Sequence, residues 1–324
     1  MLLLSEQDIQ SCITMHDAIN AMKSAFIQLS NHQAVLPLRT TIPIKNKDAV
    51  ALSMPAFLEK EAQLGVKLVT AFPHNSQRNL PTIHGVIVLF DANTGIPQAF
   101  MDARYLTALR TGAIAGLATD LLAKDEATSL AVIGAGAQAP AQIEAISCVR
   151  NIKKIYLWSR QHEHTLTFAK TLEHRFEVHA CKTVEESVQS ADIICTVTPS
   201  EEPLVHFKDV QPDVHINAMG SHAKTMREID SDIMQRAAII VDQISAALSE
   251  AGEIIHAIQL HLIQQENLTE IGPLINQPDD VLKQKMTVFK SVGLAIQDIS
   301  IASCVYQQAI QKKIGFTYAI GGTS

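Results

Sequence analysis

The sequence predicts an α/β protein in which a doubly wound parallel sheet domain follows a β-rich α+β unit. Three observations predict it. From Ser129 onward, short apolar strand-like runs alternate with helical patterns, the rhythm of a parallel sheet covered by helices. Before that point, strand-like pieces follow one another with turn residues between them. At the start of the alternating part a glycine turn, Gly134-Ala135-Gly136-Ala137-Gln138-Ala139, joins a strand to a helix. The chain has 324 residues, which at ~150 residues per domain gives about two domains.

Thr14 and Asp17 supply an N-cap and a first-turn acid for a helix whose apolar positions Ile19, Met22, Phe26 and Leu29 keep helical spacing. Strands are expected at 40–44, 50–54, 65–71 and 82–90. The run Asp91-Ala92-Asn93-Thr94-Gly95 then turns the chain into another strand at 96–101. Residues 106–124 form a helix rich in small residues (Ala108, Ala113, Ala115, Gly116, Ala118), suited to close packing and to connecting the two parts. Parallel strands are expected at 130–133, 155–158, 177–180, 192–197, 214–218 and 238–241, with a late strand at 287–289. A final helix over 292–312 is long enough to leave this domain and pack back on the first.

Composition narrows the function. The chain is 47% hydrophobic and 18% charged, enough to bury a sizeable core, and its net charge is −7. An acidic chain without a Lys/Arg run has no electrostatic reason to bind nucleic acid. No apolar stretch reaches the ~18–20 residues of a membrane span, and the first residues lack the basic start of a signal peptide. Cys12, Cys148, Cys181, Cys195 and Cys304 are widely spaced in apolar contexts, with no C-x-x-C, and read as reduced thiols of a cytoplasmic protein. No His/Cys/carboxylate cluster has zinc spacing, so no metal is expected, and no G-x-S-x-G marks a serine hydrolase.

The glycine turn carries the chemistry. Gly134 permits the tight turn, Gly136 lets the backbone approach a pyrophosphate, and Ala139 is small enough for close helix–strand packing. The free N–H groups of the following helix then face the phosphates. This is the pattern of a Rossmann dinucleotide-binding domain, with Ala137 and Gln138 beside the pyrophosphate. At the end of the second strand, where an NAD site usually carries an acid, stand Ser159 and Arg160. A hydroxyl and a guanidinium suit a 2′-phosphate, which favours NADP(H), with NAD(H) the alternative if Arg160 is simply solvated. Thr196, Val197, Met219 and Gly220, at the ends of the fourth and fifth strands, complete the expected cofactor set.

Three segments taken together resemble the ornithine cyclodeaminase/mu-crystallin family. They are Leu106-Thr107-Ala108-Leu109-Arg110-Thr111-Gly112-Ala113, the glycine turn, and Ser291-Val292-Gly293-Leu294-Ala295-Ile296-Gln297-Asp298. Gly65-Val66-Lys67 and Leu89-Phe90-Asp91 with Gly95 match its pattern as well. The resemblance implies a homodimer. Each protomer would have a substrate-binding and dimerisation domain (1–118 plus 302–324) into which the Rossmann domain (119–301) is inserted. It also implies that Arg110 and Arg39 bind a substrate carboxylate, for which a guanidinium fork is well shaped. By the same resemblance Lys67 would touch that carboxylate and relay a proton, Thr111 would contact the cofactor, and Ser291 would lie near the nicotinamide.

The family spans cyclodeaminases, alanine dehydrogenases, reductases of cyclic ketimine carboxylates, opine-like synthases and a hormone-binding crystallin, so membership narrows the reaction without choosing it. Two departures help. Family cyclodeaminases carry an aspartate where this chain has His222, and a glutamate where it has Leu52. Both acidic partners for a diamino acid are missing, while the carboxylate clamp is kept. The expectation is therefore NAD(P)H-dependent reduction of a cyclic imino acid: Δ1-pyrroline-2-carboxylate to L-proline, or Δ1-piperideine-2-carboxylate to L-pipecolate. The rivals are an alanine dehydrogenase or opine-type reductase, a cyclodeaminase that draws its acid from Glu59 or Glu61, and a non-catalytic NADPH-dependent binder. His84 is weighed as a pocket residue against a structural histidine, and His162 and His164 read as solvated.

Overall fold

In the computed structural model the described residues are 1–78 and 80–320, the side chain of Ser76 excepted. The chain forms two compact units, divided between Arg110 and Thr111 and again between Gly293 and Leu294. Residues 321–324, the end of the expected C-terminal segment, lie outside the described residues.

The first unit is built on a mixed sheet of β1 (Leu2–Leu4), β2 (Ala34–Val35), β3 (Thr40–Ile44), β4 (Ala49–Leu58), β5 (Gln63–Ala71), β6 (Ile83–Asp91), β7 (Pro97–Asp102) and a last short strand, Phe316–Thr317. Strands β4 to β7 run as an antiparallel meander, and Lys67 lies opposite Met54 on one side and Ile87 on the other. The turn between β6 and β7 forms as expected: Asp91 accepts from the N–H groups of Asn93 and Thr94, and Gly95 takes a positive φ. Helices α1 (Glu6–Gln10) and α2 (Met15–Ser30) lie between β1 and β2, and α2 is opened by a reciprocal Thr14–Asp17 capping box.

Strand alternation sorts the sheet into two faces. Met54, Ala56, Leu58, Ile87, Leu89, Ala99 and Met101 are buried on one face, where the C-terminal helix Ala295–Lys312 packs on β4, β5 and β6 and against α2. Gly65 admits that helix, since a Cβ there would lie 2.7 Å from Ile299 Cδ1. The opposite face carries Phe57, Leu64, Val66, Leu68, Val88 and Phe100, none of them buried.

The second unit holds an all-parallel sheet. Its strands are β8 (Ser129–Ile133), β9 (Lys154–Trp158), β10 (Glu177–Ala180), β11 (Ile193–Thr196), β12 (His215–Ala218), β13 (Ala238–Val241), β14 (Leu268–Glu270) and β15 (Thr287–Lys290), in the order β10-β9-β8-β11-β12-β15-β13-β14. Strand order reverses between β8 and β11, which opens a crevice at their carboxyl ends. Helix α3 (Arg104–Leu122) runs through the division, with Arg110 and Thr111 on either side of it. Helix α4 (Ala139–Val149) follows β8, and α5 (His162–Lys170) follows β9.

The differences from expectation are local. The helix expected from residue 292 starts at Ala295. The Asp242 carboxylate accepts the N–H groups of Val292 and Gly293, and Gly293 adopts a positive φ, so this stretch stays extended. Four short strands, β1, β2, β14 and Phe316–Thr317, were not anticipated, because two or three residues carry no readable periodicity. Among the described residues no helix is long and apolar enough to cross a membrane, and no group of His, Cys, Asp or Glu is arranged to hold a metal ion.

Candidate active site

In the first unit, strand register aims Lys67 at the C-terminal helix. Its side chain is 2% exposed, and Nζ lies 2.7 Å from Oδ2 of Asp298, which is fully buried. The other oxygen of Asp298 is 3.4 Å from Nε of Arg110, and Arg110 Nη1 donates to Gln297 Oε1 at 2.8 Å. Burial pulls the Lys67 ammonium down to about 8; the Asp298 charge works against this, and the charges of Arg110 and Arg39 add to it. Arg39 is half-buried between β2 and β3.

The cluster therefore sets Lys67 and Arg110 against a single carboxylate, and the charge of Arg39 is also felt at Lys67. Arg110 Nε, Gln297 Nε2 and both oxygens of Asp298 are buried without a hydrogen bond, although Arg110 and Lys67 are ion-paired with Asp298. Buried polar groups normally find partners, so this arrangement is short of a ligand that brings an acceptor for Arg110 and Gln297 and a donor for Asp298.

Asp298 is the acid of the site, and sequence reasoning missed it. It lies inside the motif quoted above. The available signal was a charged residue, next to Gln297, between the apolar Ile296 and Ile299 of the helix start. Glu59 and Glu61 do not take this role. They sit at the β4–β5 hairpin, about 13 Å along the strand from Lys67, and Glu61 accepts from Gln28 Nε2 at 2.8 Å. Leu52, half-buried on β4 opposite Val69, presents only hydrocarbon. A cavity of about 680 Å³ at the end of these strands is lined by residues including Leu52, Val69, Thr70, His84, Asp102 and Arg104, but by neither Lys67 nor Arg110. Its size does not make it the reactive site, because the buried ionic cluster of Lys67, Asp298 and Arg110 lies outside its lining.

In the second unit, the glycine turn forms at the carboxyl end of β8. Gly134 has φ +118°, and a Cβ there would lie 2.9 Å from the Val197 carbonyl oxygen. Gly136 is different: its φ is not positive and nothing lies within 4 Å of where its Cβ would be. Neither backbone nor protein packing calls for glycine there, and the open space beside it leaves room for the close approach of a ligand. Gln138 precedes α4 without capping it, and its Oε1 is buried with no hydrogen-bond partner. Exposed Ala137 precedes it, and buried Ala139 opens the helix. The adjoining cleft, about 430 Å³, is lined by residues including Gly134, Gly136, Trp158, Arg160, Val197 and Thr198. An open glycine cradle beside an uncapped helix start fits a dinucleotide.

The remaining expected cofactor residues divide by what their side chains do. Arg160 is exposed at the cleft. The Ser159 hydroxyl, also at the cleft, donates to Gln161 O at 2.9 Å and lies 2.8 Å from Thr165 Oγ1. Thr196 and Ser291 are buried, and each gives its hydroxyl to a buried carboxylate, Glu228 and Asp242 respectively, at 2.8 Å. Thr111 and Met219 are buried. Gly220 is required sterically, since a Cβ would lie 2.3 Å from the Thr198 backbone. His222 is exposed, with Nδ1 3.0 Å from the Gly220 carbonyl. Glu228 and Asp242 were not foreseen; burial pushes both carboxyls up.

The chain matches the sequence pattern of the ornithine cyclodeaminase/mu-crystallin family over residues 1–313. It is 34% identical to the Δ1-pyrroline-2-carboxylate reductase of Bacillus cereus, covering 97% of this chain and 98% of that one. Its fold is similar to that of the Thermococcus litoralis Δ1-pyrroline-2-carboxylate reductase, solved with NADH and L-proline: TM-score 0.94, 32% identity, 98% of this chain and 100% of that one. An archaeal alanine dehydrogenase dimer with bound NAD is also similar, with TM-score 0.92, 32% identity and 99% of each chain covered.

Proposed function

Because this chain belongs to the ornithine cyclodeaminase/mu-crystallin family, we propose that it reduces a cyclic imino acid with a nicotinamide cofactor, converting Δ1-pyrroline-2-carboxylate to L-proline and accepting Δ1-piperideine-2-carboxylate as the six-membered analogue. The observation that carries this reading is the buried Lys67–Asp298–Arg110 cluster, which sets two cations against one carboxylate and leaves buried polar atoms without a hydrogen bond. It suits a substrate with one carboxylate and no distal ammonium group. Arg110 and Arg39 hold the carboxylate. Lys67, lowered to about 8, delivers a proton to the ring nitrogen as the carbon–nitrogen double bond is reduced. Asp298 keeps the Lys67 ammonium oriented. A reduced nicotinamide, bound at the Gly134–Gly136 turn, supplies the hydride.

Three further assignments belong to this reading. The cofactor is NADPH in preference to NADH, supported by Arg160 at the cleft and by the lack of an acid at the end of β9. The enzyme is a homodimer, its first unit (with the C-terminal helix) binding substrate and pairing through the apolar outer face of β4–β7. A contiguous apolar face of this kind is uncommon on a monomer. It works in the cytoplasm, in keeping with five free cysteines.

Nicotinamide oxidation is measured with Δ1-pyrroline-2-carboxylate, with pyruvate plus ammonia, and with ornithine. Turnover confined to the cyclic imine supports the proposal. The likeness to an alanine dehydrogenase favours one second reading, and turnover that needs pyruvate and ammonia would establish it instead.

A further inference from the structure

Behind the dinucleotide cleft lies a buried ionic cluster that the reaction does not use. Glu228, fully buried, accepts five hydrogen bonds from the ends of two neighbouring strands. Oε1 accepts from Thr198 N at 2.6 Å and Thr198 Oγ1 at 2.8 Å. Oε2 accepts from Thr196 Oγ1 at 2.8 Å, Gly220 N at 2.7 Å and Ser221 N at 3.2 Å. Thr196 ends β11, and Gly220 and Ser221 follow β12, so one carboxylate ties together two strand ends at the edge where such sheets bind cofactors.

The carboxylate is itself braced. Glu228 N donates to Glu253 Oε1 at 3.0 Å, Ser221 Oγ donates to the same carboxylate, and Lys290 Nζ donates to Ser221 O at 2.6 Å. Thr198, which Glu228 grips twice, lines the cleft, and its Cγ2 lies 3.2 Å from where a Cβ on Gly134 would be. The wall opposite the glycine turn is thus set by a residue that does not line the cleft.

We propose that Glu228 is the positioning residue of the dinucleotide cleft, acting through Thr198 and Gly220 to hold the wall that faces the glycine turn. The inference rests on reading that cleft as the dinucleotide site. An amide in its place offers one acceptor oxygen and sets an NH2 group against N–H and O–H donors, so the two strand ends separate.

Trp158 is the single tryptophan and lines the cleft, so NADH and NADPH are titrated by its fluorescence in the wild type, Glu228→Gln and Thr196→Val. Thr196 is buried and outside the cleft lining, and its hydroxyl bonds to Glu228, so this variant loosens Glu228 alone. The dinucleotide Kd is expected to rise about tenfold in Glu228→Gln and about threefold in Thr196→Val, in keeping with the loss of charge-assisted hydrogen bonds. In steady-state assays the KM for the dinucleotide rises, while the KM for the imino acid stays put. Wild-type Kd in a folded Glu228→Gln overturns the proposal, as does loss of kcat with no change in dinucleotide Kd, the mark of a merely structural role. If Glu228→Gln does not fold, Thr196→Val decides in the same way. Absence of dinucleotide binding by the wild type overturns the reading of the cleft instead.

Discussion

Lys67 holds its charge in a fully buried position because Asp298 faces it, and the balance leaves the ammonium titrating near 8. A proton donor must be protonated, so kcat/KM for imine reduction should fall as pH rises through about 8, and the reverse oxidation should rise over the same range. Lys67→Arg, protonated throughout, should remove that limb. Lys67→Ala should lower kcat by about 10²–10⁴-fold; wild-type turnover in that variant would remove lysine from the mechanism. Arg110→Gln should instead act on substrate binding, raising the imino-acid KM about tenfold to a hundredfold.

His215 gives a second pH dependence, this one in stability. Burial holds it down to about 3 in the fold, against ~6.5 when unfolded. Between those values the unfolded chain binds a proton that the native state refuses, so stability drops as pH falls below ~6, by about 1.4 kcal/mol per pH unit. Thermal melts from neutral to acid pH should show a flatter curve for His215→Gln than for the wild type. At this scale the sequence was partly legible. Lys67 and Arg110 stand in recognisable motifs, but Asp298 and Glu228 act through contacts formed between distant segments, which no local pattern announces.

The glycine turn separates two kinds of glycine within one element. Gly134 is demanded by its own backbone and by Val197, whereas Gly136 faces open space. Gly136→Val should therefore leave the melting temperature within ~2 °C of the wild type while abolishing measurable dinucleotide binding. A large loss of stability would show that the turn is glycine-rich for packing alone. The turn was legible because strand, glycines and helix occupy consecutive residues. The same locality made β5 readable almost whole, whereas β4, expected over 50–54, runs on through Pro55 to Leu58, because its pairing with β5 and not its own pattern carries it past the proline. Strands such as β14 exist only because a neighbouring strand offers an edge, and propensity over three residues cannot report that. The start of the C-terminal helix was misplaced for a related reason: Asp242, far away in sequence, holds 292 and 293 extended.

For the whole molecule, the proposed dimer turns on the outer face of β4–β7. Light scattering should give twice the chain mass for the wild type. Leu68, 47% exposed on that face, becomes a test when replaced: Leu68→Glu should yield monomer, because a charge cannot be buried unpaired in an apolar interface. A wild-type monomer would rule the face out as a dimer contact.

The ends of the chain are also joined. Leu2 pairs with Thr317 and Leu3 with Phe316, and the Met1 amine donates to the Tyr318 carbonyl. The helix that covers β4–β6 belongs to the same late segment. During synthesis the ribosome therefore releases the parallel-sheet unit complete, from Thr111 to Gly293, before it releases the segment that finishes the unit begun first. The earliest strands should therefore wait with their inner face uncovered until the last helix arrives, so that the part of the molecule made first is expected to be the last to finish folding.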